Sequence, residues 1–158
     1  MDDRMKQDFT RRLSQCNSGG MIVLMYDILF AYVEDVKAAF AEGDRGKVKA
    51  SVRNVQRVLD ELINSLDFSY DLSRQLYGLY TFCKRELART LYQNMPEGLF
   101  QAEKILRRLY DSFTQVAKQD KSDPVICNAQ QVYAGMTYGR GELMESYMDN
   151  DAHRGFFV

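Results

Sequence analysis

The residues that could perform chemistry in this sequence are few and far apart. The chain has one histidine, His153, and three cysteines, Cys16, Cys83 and Cys127, with no CxxC pair. A di-iron site in a helical bundle needs histidines from two helices in E-x-x-H repeats, and a zinc site needs clustered cysteines and histidines. Neither pattern occurs, so we predict no metal and no cofactor.

Nucleophilic and phosphate-binding chemistry also lack their sequence signals. A catalytic cysteine or serine would have to use His153 as its base, and nothing obviously catalytic except Tyr147 lies near that histidine. The run Gly139-Arg140-Gly141 lacks the preceding strand and following helix that give a glycine loop its phosphate-binding geometry. We therefore predict that the protein is not an enzyme.

Composition indicates an ordinary globular protein. Hydrophobic residues make up 46% of the 158 positions, charged residues make up 27%, and the net charge is −1. This balance predicts one domain without a general attraction to nucleic acid or anionic membranes. The polar N-terminus has no signal core, and no apolar run reaches the roughly eighteen residues of a membrane span. We expect a cytoplasmic protein with reduced thiols and no membrane insertion.

Long apolar-periodic stretches predict helices as the elements that position any functional surface. Apolar residues recur at spacings of three and four, with Ser18 as the expected cap of the first helix and Gly43 at its end. The predicted helices cover about 21–41, 44–66, 72–92 and 96–119. Four helices of about twenty residues with short links predict an all-α fold, an antiparallel four-helix bundle.

The sequence divides into three parts by its periodicity. We predict an N-terminal arm over 1–18, the bundle over 19–120 and an irregular C-terminal tail over 121–158. The tail has no sustained period and contains four of the ten glycines, with a short helix expected near 141–148. Its aromatic residues are unusually many for a linker.

The first and third predicted helices carry more apolar surface than one core stripe requires. The additional apolar residues are Met21, Leu24, Ile28 and Tyr32 in the first helix and Tyr77, Tyr80 and Phe82 in the third. Monomeric proteins rarely leave such patches bare. Either the first helix is buried on several sides, or the arm, the tail or a second copy covers the patch, or a groove accepts an amphipathic helix of another protein.

A row of basic residues on the second predicted helix is a separate feature. Lys49, Arg53 and Arg57 follow one another every four residues. Such a row can contact RNA phosphates or an acidic partner, but more often it is a solvated face, balanced here by Asp60 and Glu61. We predict no nucleic-acid partner.

Three stretches resemble the FliS family, the cytoplasmic chaperones that hold flagellin for flagellar export. MIVLMYDILFAYVEDV (21–36) is similar to the first helix of that family, whose apolar run into L-Y-D is matched by Met25-Tyr26-Asp27. LDELINSLDFSYDLSRQLYGLYTFCKREL (59–87) resembles the second and third helices, and AEKILRRLYDSFTQV (102–116) resembles the closing helix. The resemblance covers about 15–118.

The resemblance implies a four-helix bundle that binds the C-terminal disordered segment of flagellin. The segment becomes partly helical on the bundle, which prevents premature polymerisation, and the complex docks on the export gate. In relatives an N-terminal arm occupies the groove when flagellin is absent, a part that 8–14 can play here. The implied partner-binding residues, some of them expected in the core, are Ile22, Met25, Tyr26, Leu29, Leu76, Tyr77, Leu79 and Tyr80.

Two departures from the family pattern and one alternative function remain. The family often opens its first helix with S-P-E-E-L, whereas Ser18-Gly19-Gly20-Met21 stands here, and two glycines weaken a helix start. The tail from 121 onward lies outside the family pattern. The alternative to a flagellin chaperone is a self-associating helical bundle, a homodimer whose interface is the additional apolar surface.

Overall fold

The computed structural model describes residues 3–125, and every regular element in that range is an α-helix. The predicted all-α class is therefore confirmed for this part of the chain. The helices are α1 (Asp3–Leu13), α2 (Ser18–Ala41), α3 (Arg45–Asn64), α4 (Asp71–Gln93) and α5 (Glu97–Gln119). The four predicted helices correspond to α2–α5, with ends that move by at most three residues. The expected helix near 141–148, His153, Cys127 and the Gly139–Gly141 run lie outside the described residues.

The short links around α3 follow from local hydrogen bonding. Gly43 adopts the left-handed backbone region at φ 70°, which ends α2 where the sequence predicted. The Asp44 side chain accepts a hydrogen bond from the Lys47 N–H at 3.0 Å and caps α3. For α2 the cap is Asn17, whose Oδ1 accepts from the Gly20 N–H at 2.8 Å, and not the predicted Ser18, which is the first helical residue.

Helix packing forms a closed ring of neighbours. Helix α2 packs against α3 and α5, α4 packs against the same two helices, and α1 packs on α2. Near the start of α2 the Tyr26 ring lies 5.8 Å from that of Phe113, late in α5, whereas Lys37 near the end of α2 contacts Glu103, early in α5. These two helices therefore run in opposite directions. The pairings are consistent with the predicted antiparallel four-helix bundle.

The core is built from one apolar stripe of each helix in the ring. Helix α3 has the simplest pattern, because one apolar stripe is buried and most other positions are polar or charged. The buried α3 residues are Val48, Val52, Val55, Leu59 and Leu62. Across the core the hydroxyls of Tyr26 and Tyr80 share a hydrogen bond of 2.8 Å. Burial raises the pKa of both tyrosines, so both stay neutral in the folded protein.

The start of α2 and the end of α5 are joined by a polar clasp. The Asn17 side-chain amide donates to the Asp120 carbonyl oxygen at 3.0 Å, and the Gly19 N–H donates to Asp120 Oδ2 at 3.0 Å. A Cβ at position 19 would lie only 2.9 Å from that carboxylate oxygen. The glycine that weakens the helix start is therefore required by the close approach of α5.

Candidate functional site

An apolar groove runs between α2 and α3 on the outside of the bundle. It encloses about 300 Å³. Its apolar residues recur at i, i+3 and i+7 on α2, a spacing that keeps them on one helix face beside the core stripe. The residues that line it are Met25, Ile28 and Tyr32 from α2, and Asn54, Arg57, Val58 and Glu61 from α3. Part of the predicted additional apolar face is thus an open groove.

A second groove lies on the other side of α3, between α3 and α4. It encloses about 460 Å³, and its lining residues are Gln56, Asp60, Ile63, Tyr77, Thr81, Lys84, Arg85 and Ala88. The Tyr77 side chain is 45% exposed, and its ring meets the ring of Phe68 nearly edge-on at 5.8 Å. A large exposed aromatic pair beside a groove is a typical anchor for an apolar partner.

Four of the eight residues expected to bind a partner lie in the core instead. The predicted partner-binding residues came from both faces of α2 and α4. In the structure one face of each helix packs against the other helices of the ring, and the other face does not. The residues that pack inside are Tyr26, Leu29, Leu76 and Tyr80, all at most 8% exposed. Their side chains are covered by the molecule's own helices and offer a partner no surface in this conformation.

The other four predicted residues lie at or near the surface. Met25 lines the α2–α3 groove, and Tyr77 lines the α3–α4 groove. Leu79 is 37% exposed on α4, and Ile22 is partly buried against the core. The structure therefore brings Met25 and Tyr77 to two different grooves with α3 between them.

A third hollow lies at the start of α2, next to the C-terminal end of α1. The hollow encloses about 400 Å³ and is lined by Arg12, Gln15, Cys16, Gly20, Val23, Leu24, Thr114, Ala117 and Lys118. Leu24, predicted as part of the additional apolar face, is buried there. Arg12 of α1 and Leu24 thus line the same hollow.

An ion pair between Arg12 and Asp27 joins α1 to α2. The Tyr110 hydroxyl of α5 donates to the other oxygen of the same carboxylate at 2.9 Å. This hydrogen bond to Asp27, together with partial burial, raises the pKa of Tyr110, so the hydroxyl keeps its proton and holds the carboxylate in place. No residue of α1 is buried. The arm is thus attached through this ion pair and partly buried side chains such as Phe9.

A scan against protein-family models matches residues 1–120 to the family described as flagellar protein FliS. The chain belongs to the FliS family. The match spans about three quarters of the 158 residues and extends beyond the resemblance found by reading the sequence, since it includes α1. A search of curated proteins finds no match.

Membership of the FliS family assigns the chain to the flagellar export chaperones, a family of binding proteins and not of enzymes. In residues 3–125 no group of three or more histidine, cysteine or acidic side chains is placed to hold a metal ion. Within the same range no helix is long and apolar enough to cross a membrane.

Residues of α3 are the part of this FliS surface that sequence reasoning missed. Asn54 and Val58 line the α2–α3 groove and were not predicted, whereas Arg57 and Glu61 were noted only for their charge. Val58 carried the available signal, because it is an apolar residue outside the core stripe of α3. The polar lining residues look like an ordinary solvent-exposed helix face in the sequence, because only the packing of α2 beside them forms the groove.

Loss of the Arg12–Asp27 ion pair is expected to loosen α1 of this FliS chain. Because partly exposed pairs contribute up to about 1 kcal/mol, Asp27→Asn should raise amide hydrogen exchange in 3–13 by about two- to fivefold. Exchange measured by mass spectrometry checks this result. Asp8→Asn is the control, since Asp8 pairs with Arg11 inside α1 and should give a smaller increase. Equal exchange in the Asp27 variant and the parent would contradict the role of this pair.

Proposed function

We propose that the protein is a cytoplasmic export chaperone for flagellin. Its antiparallel four-helix bundle binds the C-terminal disordered segment of flagellin, which becomes partly helical in the apolar grooves. Binding keeps the segment from premature polymerisation and presents flagellin to the flagellar type III export gate. Family membership supports the chaperone role, and the position of the grooves supports the mode of binding.

The observation that carries the proposal is the pair of grooves on the two sides of α3. A client segment can place apolar side chains in the α2–α3 groove, cross the exposed back of α3, and place others beside Tyr77 in the α3–α4 groove. Each groove is large enough for a few side chains and too small for a whole helix. The segment therefore binds through anchors at helical spacing, as in other helix-in-groove complexes.

The energetics of a few anchors are sufficient for a stable complex. A fully buried large apolar side chain contributes roughly 1.5–3 kcal/mol. Ordering a disordered segment costs roughly 2–5 kcal/mol of that gain, in addition to the entropy of association. Anchors in both grooves, with polar contacts along α3, give micromolar or tighter binding, whereas one groove alone gives a weak complex. Use of both grooves is therefore part of the proposal.

Helix α1 lies next to these grooves and can detach from the bundle. Its last turn lines the third hollow through Arg12, which pairs with Asp27, and no residue of α1 is itself buried. A client that extends to the third hollow then competes with a tethered helix. The cost of displacing α1 therefore lowers the affinity of the chaperone for such a client without changing its fold.

Replacement of Tyr77 by aspartate tests the proposal. The Tyr77→Asp variant should bind a flagellin C-terminal peptide at least about tenfold more weakly, because a charge replaces an aromatic anchor. Isothermal titration calorimetry measures the dissociation constant, and circular dichroism checks the fold. Tyr92→Asp is the matched control, since Tyr92 also belongs to α4, is 91% exposed, and lies outside both grooves. Its affinity should stay within about twofold of the parent.

Two outcomes would contradict the proposal. The first is the absence of a complex between the parent protein and the flagellin segment at micromolar concentration. The second is a stable dimer at dilute concentration in light scattering that Tyr77→Asp converts to monomer, because the same surface would then serve self-association. That second result would favour the homodimer alternative.

A further inference from the structure

The α2–α3 groove is bordered by positive charge along its α3 side. Arg57 lines the groove and Arg53 lies one helical turn before it, whereas Lys49, one turn earlier still, lines a hollow between α3 and the end of α4. All three side chains are exposed. The floor beside them is apolar, formed by Met25, Ile28 and other side chains of the groove. An apolar floor with a cationic border distinguishes this groove from a plain hydrophobic one.

These cations have no acidic partner within the described part of the chain. The sequence suggested Asp60 and Glu61 as balancing charges, but the structure pairs Asp60 with Lys84 of α4. Neither Arg53 nor Arg57 forms an ion pair with any residue in 3–125. By contrast, Lys37 and Lys84, which also face other helices, are both paired with carboxylates.

We propose that the α2–α3 groove selects a helix that has one apolar face and one acidic flank. Apolar residues of this helix fill the space beside Met25 and Ile28, and aspartate or glutamate residues at a spacing of four pair with Arg53 and Arg57. The inference deepens the proposed function and rests on it for the use of this groove by a client. It adds the charge pattern that the bound segment must carry and the side on which its acidic residues lie.

Charge at the border of a groove affects selection more than total affinity. Solvent-exposed ion pairs contribute little each, but complementary charge speeds association and fixes register, and like charge opposes a wrong partner. Glu61 lines the same groove one turn beyond Arg57. Glu61 repels an acidic residue of the bound helix at that end. The acidic flank must therefore end at the residue that pairs with Arg57, or be followed by a basic residue next to Glu61. The groove thereby defines the direction of the helix.

A protein helix fits this surface better than a nucleic acid does. The basic residues form a single row, and Glu61 lies one turn after Arg57 in the same groove, where it opposes a continuous phosphate backbone. The groove next to the row has an apolar floor, which suits aliphatic side chains and gives phosphate groups no partner. An acidic amphipathic helix satisfies both features.

Two designed peptides test the inference without using flagellin. They are helical 20-mers with the same apolar positions, one with a glutamate flank and the other with a lysine flank. At low salt the parent protein should bind the glutamate peptide about tenfold more tightly in fluorescence anisotropy, and the preference should shrink as salt screens the charges. The double variant Arg53→Glu/Arg57→Glu should reverse the preference.

The control for this double variant is Lys104→Glu/Arg108→Glu on the exposed face of α5, which makes the same change in net charge. It should keep the preference for the glutamate peptide. Equal binding of the two peptides, or a reversal in the α5 control, overturns the inference. Displacement of the glutamate peptide by a single-stranded RNA oligonucleotide also overturns it. A parent protein that prefers the glutamate peptide but fails to bind the flagellin segment contradicts the proposed function alone.

Discussion

Replacement of Leu29 by alanine is expected to lower the free energy of unfolding by about 2–5 kcal/mol. Leu29 is fully buried in the core between the helices of the ring, although the sequence resemblance offered it as a partner-binding residue. The substitution removes apolar contacts and leaves a cavity that close-packed neighbours fill only in part. Urea unfolding followed by circular dichroism measures the change from the shift of the midpoint.

The adjacent residue provides the control for this prediction. Ile28 lines the α2–α3 groove and is only partly buried, so Ile28→Ala should cost about 1 kcal/mol and keep the cooperative transition. The effect on peptide binding should have the opposite order. When both proteins are folded, Ile28→Ala should bind the peptide more weakly than Leu29→Ala does. Equal losses of stability at 28 and 29 would mean that the division between core and groove is wrong.

Alanine at position 98 should destabilise the protein by about 1–3 kcal/mol. Gly98 lies where the start of α5 passes over α4. An added Cβ would lie 2.6 Å from Thr90 Oγ1 and closer still to the Glu86 carbonyl oxygen, so the two helices would have to separate. The backbone carbonyl cannot rotate away as a flexible side chain would. Thermal unfolding measures the loss as a lower midpoint temperature.

Gly78→Ala is the matched control for Gly98→Ala. Gly78 lies inside α4 and is exposed, and an added Cβ there meets no atom within 4 Å. Because alanine is the better helix former, this variant should gain up to about 1 kcal/mol. The two glycine substitutions should therefore change the midpoint temperature in opposite directions. A gain at both positions would show that α4 and α5 are not in close contact at Gly98.

The sequence predicted the helices well because apolar periodicity is a local property. Helix α3 illustrates this, since Val48, Val52 and Leu59 form one apolar stripe on a mostly polar helix and all three are buried. The same reasoning could not divide α2. Both sides of that helix are apolar, so the spacing alone gave Met25 and Leu29 equal standing, and only the position of the neighbouring helices separates groove from core.

Long-range contacts explain what the sequence could not predict about the candidate site. The pairing of Asp60 with Lys84 joins α3 to α4 across 24 residues, and it leaves Arg57 without the partner that the sequence suggested. Helix α1 was expected only as an arm, because its sequence is mostly polar and its few apolar residues, Met5, Phe9 and Leu13, form only a short stripe. Its position depends on Asp27, which the family resemblance singled out as part of the L-Y-D match but without indicating Arg12 as its partner.

The clasp between Asn17 and Asp120 has a consequence for biosynthesis. The two residues are separated by 103 positions, and the α2–α5 interface requires both ends of the bundle. A growing chain therefore cannot complete its ring of helices until α5 has left the ribosome. Until then the inner faces of α2–α4 stay partly uncovered, and nascent protein is open to the same apolar encounters that the finished chaperone is proposed to prevent in its client.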